Sequence, residues 1–184
     1  MNKNILLDRF PSENINSFYD LFSKEKFNIP IVTCWGDKIK LNKNTKVYDD
    51  VDISSGIYNG ETPWSLNSSD IKFISEYEGI FSILLSRSSI SPCSWTVSEM
   101  SAHIYELVNF WKYHLLKNNI QICFSFYPPH DPSSFALYLI SKKLKIPYIF
   151  IDNGLAGKKI KFFSCSLQER NLLIRNKFSP SPEW

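Results

Sequence analysis

The chain has 184 residues, 43% of them hydrophobic, and a formal net charge of +3 at pH 7. This length fits one domain or slightly more, large enough to bury a core without staples. The lysines are spread among acidic residues instead of forming a basic stripe, which argues against a nucleic-acid partner. The 4 cysteines are far apart and lack zinc-site spacing, so no metal site is predicted, and Cys34 and Cys123 are expected to be small core residues.

No stretch of the chain has the character of a membrane span or a secretion signal. Residues 1–10 lack the long apolar region and small-residue cleavage site of a signal peptide. The closest approach to a span, residues 71–85, is interrupted by Lys72, Glu76 and Glu78, whereas a bilayer requires roughly 18 apolar residues in a row. The sequence therefore predicts a soluble, cytoplasmic protein without a transmembrane segment.

The N-terminal part of the chain predicts a helix followed by a strand. Residues 1–10 are compatible with a short opening strand or with a loose arm. Pro11 and the apolar spacing after it predict an amphipathic helix over residues 12–26. Residues 31–35 form a continuous apolar run, which predicts a buried strand that turns at Gly36.

A polar, irregular segment follows over residues 38–60, with one short strand predicted around residues 46–48. It contains the acidic sequence Asp49-Asp50-Val51-Asp52. This sequence lacks the glycine and the distal glutamate of an EF-hand loop. We interpret it as a solvated loop and not as a metal site.

Two helices are predicted in the middle of the chain, over residues 71–87 and 96–118. The second places Glu99 and His103 one turn apart on the same face. Such a pair is compatible with acid–base or ligand chemistry, but the sequence lacks the second histidine of an H-E-x-x-H metallopeptidase. A solvated pair is the simpler interpretation. His114 in the same helix is expected at the boundary of the core.

The rest of the chain opens with the order strand, loop, helix, strand, which predicts a βαβ unit. The predicted elements are strands at 120–126 and 146–152 around a helix at 133–145, then a short strand at 160–163 and a helix at 167–177. We assign residues 1–178 to one domain. Residues 179–184, rich in proline and serine, are interpreted as a tail or a truncated linker.

This alternation predicts an α/β fold, a Rossmann-like three-layer domain with a mostly parallel sheet. Such sheets bind ligands beyond the carboxyl ends of their strands. The loops at predicted strand ends are residues 35–37, 127–134 and 152–157. None carries the glycine-rich motif of a dinucleotide-binding fold or P-loop enzyme, or the nucleophile motif of an α/β-hydrolase. No cofactor is predicted.

The loop Tyr127-Pro128-Pro129-His130-Asp131-Pro132 is the strongest candidate for a functional edge. Asp131 suits the N-cap of the following helix and Pro132 its first turn. The positive end of the helix dipole favours a neutral His130, able to act as general base toward a hydroxyl or to hydrogen-bond a sugar or phosphate. The alternatives are that Asp131 only caps the helix and that His130 only packs on Tyr127.

A second candidate loop follows the last strand of the βαβ unit. Asp152, Asn153 and Gly154 could together hold a polar ligand there. The same three residues are also typical of a plain turn, which is the simpler interpretation.

Two segments of the chain resemble a motif of bacterial capsular-polysaccharide biosynthesis proteins of the GT-B glycosyltransferase type. They are FSFYPPHD at residues 124–131 and ALYLISKKLKIPYIF at residues 136–150. The family pattern is a strand that ends in Pro-His plus an acidic or small residue, a helix reading like LYxxAKxLGI, and a strand. Residues 162–170 are similar to a segment that follows shortly afterwards in those proteins, so the resemblance covers about residues 120–170.

The resemblance implies a single half of a GT-B-like architecture. It would be the N-terminal, acceptor-side domain of a glycosyltransferase-like protein, with a sugar or glycan acceptor as partner and His130 as the candidate functional residue. The family's nucleotide-sugar contacts lie mostly in a separate donor-binding domain, so activity of this chain alone is not expected. The alternative is a non-catalytic ligand-binding or interaction module, in which aromatic residues such as Trp35 or Trp64 matter more than His130. A third hypothesis is an unrelated α/β enzyme that uses Glu99 and His103.

Overall fold

The computed structural model describes residues 3–36, 39–57, 62–87, 95–152 and 161–163. Within these residues, six strands form one sheet in the order β3-β2-β1-β4-β5-β6. The strands are β1 Asn4–Pro11, β2 Asn28–Trp35, β3 Lys46–Asp49, β4 Ile122–Ser125, β5 Tyr148–Asp152 and β6 Lys161–Phe163. The first five are mutually parallel, and β6 runs antiparallel to β5.

Helices cover both faces of this sheet. They are α1 Ser12–Lys24, α2 Asp50–Ser54, α3 Ser68–Ser75, α4 Glu78–Arg87, α5 Val97–Lys117 and α6 Pro132–Lys143. Several begin at polar caps that take up free backbone N–H groups. Thr96 and Glu99 form a capping box at the start of α5, and Asp131 caps α6.

Alternate residues of β1 point to opposite faces of the sheet, as strand geometry requires. Leu6 is buried with residues of α5 and α6 on one face, including Trp111. Ile5 and Leu7 are buried on the other face with Ile15 of α1. Helix, sheet and helix therefore form three layers, which confirms the predicted Rossmann-like α/β fold with a mostly parallel sheet.

Strand β1 lies at the centre of the sheet. Leu7 is in register with Val32 of β2 on one side and with Phe124 of β4 on the other. The chain builds outward from β1 through β2 and β3, and then returns to β1 to build β4 and β5 in the opposite direction. The strand order thus reverses between β1 and β4, and ligands of open α/β sheets bind at such a switch point.

The central position of β1 rules out the loose arm as an interpretation of residues 4–10. Ile5, Leu6 and Leu7 are completely buried, so the strand belongs to the core. The helix predicted over residues 71–87 is instead two helices, α3 and α4. The Tyr77 N–H bonds to the Ile74 carbonyl, three residues back, and this tight turn separates them. The apolar spacing continues through the break, so the pattern does not reveal it.

Other predicted elements agree with the structure. The helices over residues 12–26, 96–118 and 133–145 and the short strands near residues 46–48 and 160–163 are confirmed. Cys34 and Cys123 are buried free thiols, as predicted. The predicted helix at 167–177 and the tail at 179–184 lie outside the described residues.

None of the helices in the described part of the chain combines the length and the apolar character that crossing a bilayer requires.

Candidate functional site

Arg9 lies at the carboxyl end of the central strand and has an unusual backbone. Its φ of 55° is in the left-handed region, and the register between β1 and β2 shifts between Leu7 and Phe10. The Arg9 N–H donates to Oγ1 of Thr33 at 2.7 Å, which holds this irregular conformation. Bulges and left-handed residues that are not glycine are enriched near functional sites, where they redirect a side chain.

The Arg9 guanidinium joins three segments that are distant in sequence. Nε lies 3.1 Å from Oδ2 of Asp50 at the start of α2, as an ion pair and not as an aligned hydrogen bond. Nη1 donates to Oδ2 of Asp131 at the start of α6. Nη1 also lies 3.4 Å from Nε2 of His130. Arg9 is therefore the centre of a polar cluster at the switch point.

The hydrogen bonds of His130 define its tautomer. Nδ1 lies 2.7 Å from the carbonyl oxygen of Pro128, which can only accept, so Nδ1 carries the proton. In the neutral ring, Nε2 then presents its lone pair to Arg9. The ring also meets Tyr127 edge-on, with 6.1 Å between ring centroids. His130 thus packs on Tyr127 and in addition offers an acceptor nitrogen to the cluster.

Asp131 caps α6, as predicted, and has a second role that the sequence did not indicate. Its Oδ1 accepts from the Ser134 N–H at 3.0 Å, and its Oδ2 accepts from Arg9. One carboxylate therefore fills the helix N-terminus and also neutralises the guanidinium.

Asp8 is a fully buried carboxyl group directly before Arg9. It accepts from the Thr33 hydroxyl at 2.8 Å on β2 and from the Ser125 hydroxyl at 3.0 Å on β4. Burial, followed by the charge of Asp131, raises the pKa of Asp8 to about 6. Asp8 therefore ties the three central strands together and also adds negative potential beneath Arg9.

Asp50 is buried, which corrects its interpretation as part of a solvated loop. Pairing of β3 with β2 brings the end of β3 to the same edge as Arg9, and the guanidinium draws the Asp50 side chain inward. Burial, followed by the charge of Asp131, raises the pKa of Asp50 to about 8. Oδ1 of this carboxyl has no hydrogen-bond partner among the residues that the structure describes.

A cavity of about 260 Å³ opens at this edge of the sheet. Its lining residues are Arg9, Trp35, Tyr127 and His130. Trp35 ends β2 and Tyr127 follows β4, so the two aromatic side chains come from either side of β1.

The turn after Trp35 requires glycine. Gly36 has a φ of +105°, and a Cβ there would lie 2.6 Å from the Ser12 hydroxyl. Glycine is therefore required directly after Trp35.

Of the predicted site residues, His130 lines the cavity, and Asp131 contacts Arg9, which also lines it. Asp152 is the last residue of β5, one strand beyond β4. Asn153 and Gly154 lie outside the described residues, so their ligand role stays a prediction.

The Glu99 and His103 side chains do not form an acid–base pair. Glu99 accepts hydrogen bonds from the Thr96 N–H and hydroxyl as part of the α5 capping box. His103 is buried instead of solvated, with Nε2 at 2.9 Å from the Ser54 carbonyl oxygen. His114 is likewise buried and not at the core boundary, and burial lowers its pKa to about 4. These groups serve packing and capping.

Sequence reasoning missed three members of the site: Asp8, Arg9 and Asp50. One signal was available for the first two. An aspartate and an arginine interrupt the apolar run of residues 5–10, and charged residues are rarely buried without partners. Asp50 gave no such signal, because its burial depends on the pairing of β3 with β2.

Comparison of the chain with protein-family models, with curated proteins and with solved structures returned no match.

Proposed function

We propose that this chain is a sugar-binding, glycosyltransferase-like acceptor domain of bacterial surface (capsular) polysaccharide biosynthesis. The observation that carries the proposal is the cavity at the switch point, where two aromatic side chains meet a guanidinium and an imidazole. Ligand sites typically combine apolar or aromatic walls with a few converging polar groups. The resemblance of residues 120–170 to the GT-B type supports the same assignment.

The aromatic residues suit the C–H faces of a sugar ring. Trp35 and Tyr127 offer flat apolar surfaces with polar tips. Arg9 offers N–H donors for ring hydroxyls, and the His130 ring adds a polar side chain to the cavity wall. The cavity thus has both kinds of contact that an acceptor sugar needs.

His130 is better suited to contact the ligand than to act as general base. A base must accept the hydroxyl proton on Nε2, but Arg9 Nη1 already lies 3.4 Å from that nitrogen. In this proposal, donor binding and the rest of the transfer chemistry belong to a separate donor-binding domain.

The orientation of His130 also favours a second candidate, a non-catalytic sugar-binding module. The two candidates share the cavity and differ in whether transfer occurs. Supplying a donor-binding domain and a nucleotide sugar would reveal glycosyl transfer for the first candidate and only binding for the second.

Tryptophan fluorescence and calorimetric titration of the full chain with neutral methyl glycosides and capsular oligosaccharides test the proposal. We expect saturable binding that Trp35→Ala weakens by about tenfold, since a lost aromatic contact costs on the order of 1 kcal/mol. Trp64→Ala is the matched control, because Trp64 is 59% exposed and does not line the cavity. Absence of binding to every sugar, or equal losses in both variants, would contradict the proposal.

A further inference from the structure

We propose that the cavity selects an uncharged sugar and rejects sugars that carry a phosphate or a carboxylate. This inference rests on the proposed function and names its ligand class. It follows because carboxyl groups of the protein itself already pair with the Arg9 guanidinium.

The cation of the cavity is outnumbered by carboxyl groups. In the part of the chain that the structure describes, Asp50 and Asp131 contact the Arg9 guanidinium, and Asp8 lies buried directly before it. Asp49, at the end of β3, also acts on the potential around Asp50. Any ligand in the cavity therefore meets an arginine whose charge is already balanced.

The contacts of the Arg9 guanidinium leave no pair of parallel N–H groups free to hold an anion. Phosphate and carboxylate ligands are held by two parallel N–H groups of a guanidinium. Here Nε lies against Asp50, and Nη1 is shared between Asp131 and His130. Nε has only its ion pair with Asp50, and Nη2 has neither a hydrogen bond nor an ion pair to any described residue. Nη2 can donate to a hydroxyl or ring oxygen, which is the contact that a neutral sugar offers.

Two helix N-termini at this edge are filled by the protein itself, whereas that of α1, directly after β1, has no side-chain cap. A free N-terminus attracts anions through its N–H groups and dipole. At α6, the Asp131 carboxylate accepts from the Ser134 N–H. At α2, the Asp49 carboxylate accepts from the Val51 N–H at 2.8 Å. The N-termini of α2 and α6 therefore already hold carboxylates.

The volume of the cavity agrees with a small neutral ligand. At about 260 Å³, the cavity lies below the roughly 300–1,000 Å³ of pockets that bury drug-sized ligands. It therefore suits one sugar ring better than a nucleotide.

The test compares matched sugars by calorimetric titration of the full chain. The probes are methyl glycosides of glucose, galactose and mannose, each with its uronate and its 6-phosphate. We expect at least one neutral glycoside to bind about tenfold more tightly than both of its anionic counterparts, as like-charge repulsion near a surface predicts. Equal or tighter binding of the anions overturns this inference and leaves the proposed function standing. Binding of none of the probes overturns both.

Two variants test the cause of the selectivity. Asp131→Asn removes one neutralising charge, and Asp50→Asn removes another in titrations at about pH 9, above the Asp50 pKa of about 8. Under that condition we expect either change to reduce the preference for the neutral sugar by several-fold. Glu106→Gln is the control, because Glu106 is exposed on α5 and does not line the cavity. A wild-type preference in both aspartate variants would overturn the proposed role of the Arg9 charge balance, and use of two variants guards against loss of the α6 cap in one of them.

Discussion

The described part of the protein contains two buried ionic clusters, which differ in their balance of charge. In the first, Lys112 of α5 donates to Oδ2 of Asp70 at 2.7 Å and to the Ser65 carbonyl oxygen at 2.5 Å. Burial alone would raise the pKa of Asp70, but the Asn67 N–H and Lys112 outweigh it, so the pKa is lowered. One cation therefore faces one anion, and folding favours the ionised form of Asp70.

The second cluster, around Arg9, has more carboxyl groups than cations. Asp8 and Asp50 both have raised pKa values, to about 6 and about 8. Folding therefore disfavours the ionised forms of these two groups. The first cluster joins α3 and α5, and neither Asp70 nor Lys112 lines the cavity, whereas Arg9 of the second cluster does. Unfavourable buried charge beside a cavity is typical of a functional site and not of a stabilising ion pair.

Lys112→Met should have the largest effect on stability. It leaves Asp70 buried without its cation and leaves the Ser65 carbonyl without a donor. We expect a loss of roughly 3–5 kcal/mol in the free energy of unfolding, as is usual when one partner of a buried pair is removed. Urea denaturation measures this loss. Lys142→Met, at an exposed position of α6, should stay within about 0.5 kcal/mol. A similarly small loss in both variants would show that the Lys112–Asp70 ion pair does not stabilise the fold.

Arg9→Met should be the next most severe change, and its cost should depend on pH. We expect a loss of about 2–3 kcal/mol at pH 8 and a clearly smaller one at pH 5. Loss of the cation raises the carboxyl pKa values further, and a raised folded-state pKa gives stability that is lost as pH rises through it.

Denaturation of wild type and Arg9→Met at both pH values measures this difference. The acid destabilisation expected from His114, between its ordinary pKa of about 6.5 and its folded value of about 4, is common to both proteins and cancels. An equal loss at pH 5 and pH 8 would mean that the carboxyl groups do not titrate as the structure indicates.

Asp→Asn changes compare the two clusters most directly. Asp70→Asn should destabilise at pH 8 by about 1–3 kcal/mol, because a carboxylate that folding prefers ionised becomes neutral. Asp50→Asn should be neutral or stabilising by up to about 1 kcal/mol at pH 8, since the ionised form is disfavoured there. At pH 5 the advantage of Asp50→Asn should shrink, because Asp50 is then already protonated. Equal destabilisation by Asp70→Asn and Asp50→Asn would show that folding does not treat the two carboxylates differently.

The sequence allowed the fold to be predicted because its elements are strongly periodic. The helix over residues 96–118 keeps an apolar stripe throughout, and residues 133–145 follow a recognisable cap. The break between α3 and α4 was not predicted, because a tight turn preserves the apolar spacing. Periodicity reports which face is buried and not whether each backbone hydrogen bond continues.

The site could be predicted only in part, and the reason is topological. His130 and Asp131 were found because a strand, a stiff loop and a helix start lie together in sequence. Arg9 contacts Asp131 across 122 positions, and it also contacts Asp50. Only the strand order, with β1 between β2 and β4, brings these residues to one edge. Local patterns carry no information about that order.

Replacement of His130 should have the smallest effect on stability. Its variants distinguish a residue that contacts the ligand from a general base. The side chain is exposed, so His130→Ala should change the free energy of unfolding by no more than about 0.5 kcal/mol. If His130 contacts the ligand, calorimetric titration with the neutral glycoside should show affinity falling by about threefold to tenfold, the usual worth of one hydrogen bond. His130→Gln keeps a hydrogen-bonding side chain and should recover most of that affinity.

If His130 acted as a general base, the result would differ. All three proteins would bind the glycoside equally, and the variants would lose only the rate of transfer once a donor domain is supplied. Since His130 lines the cavity, we expect the first outcome.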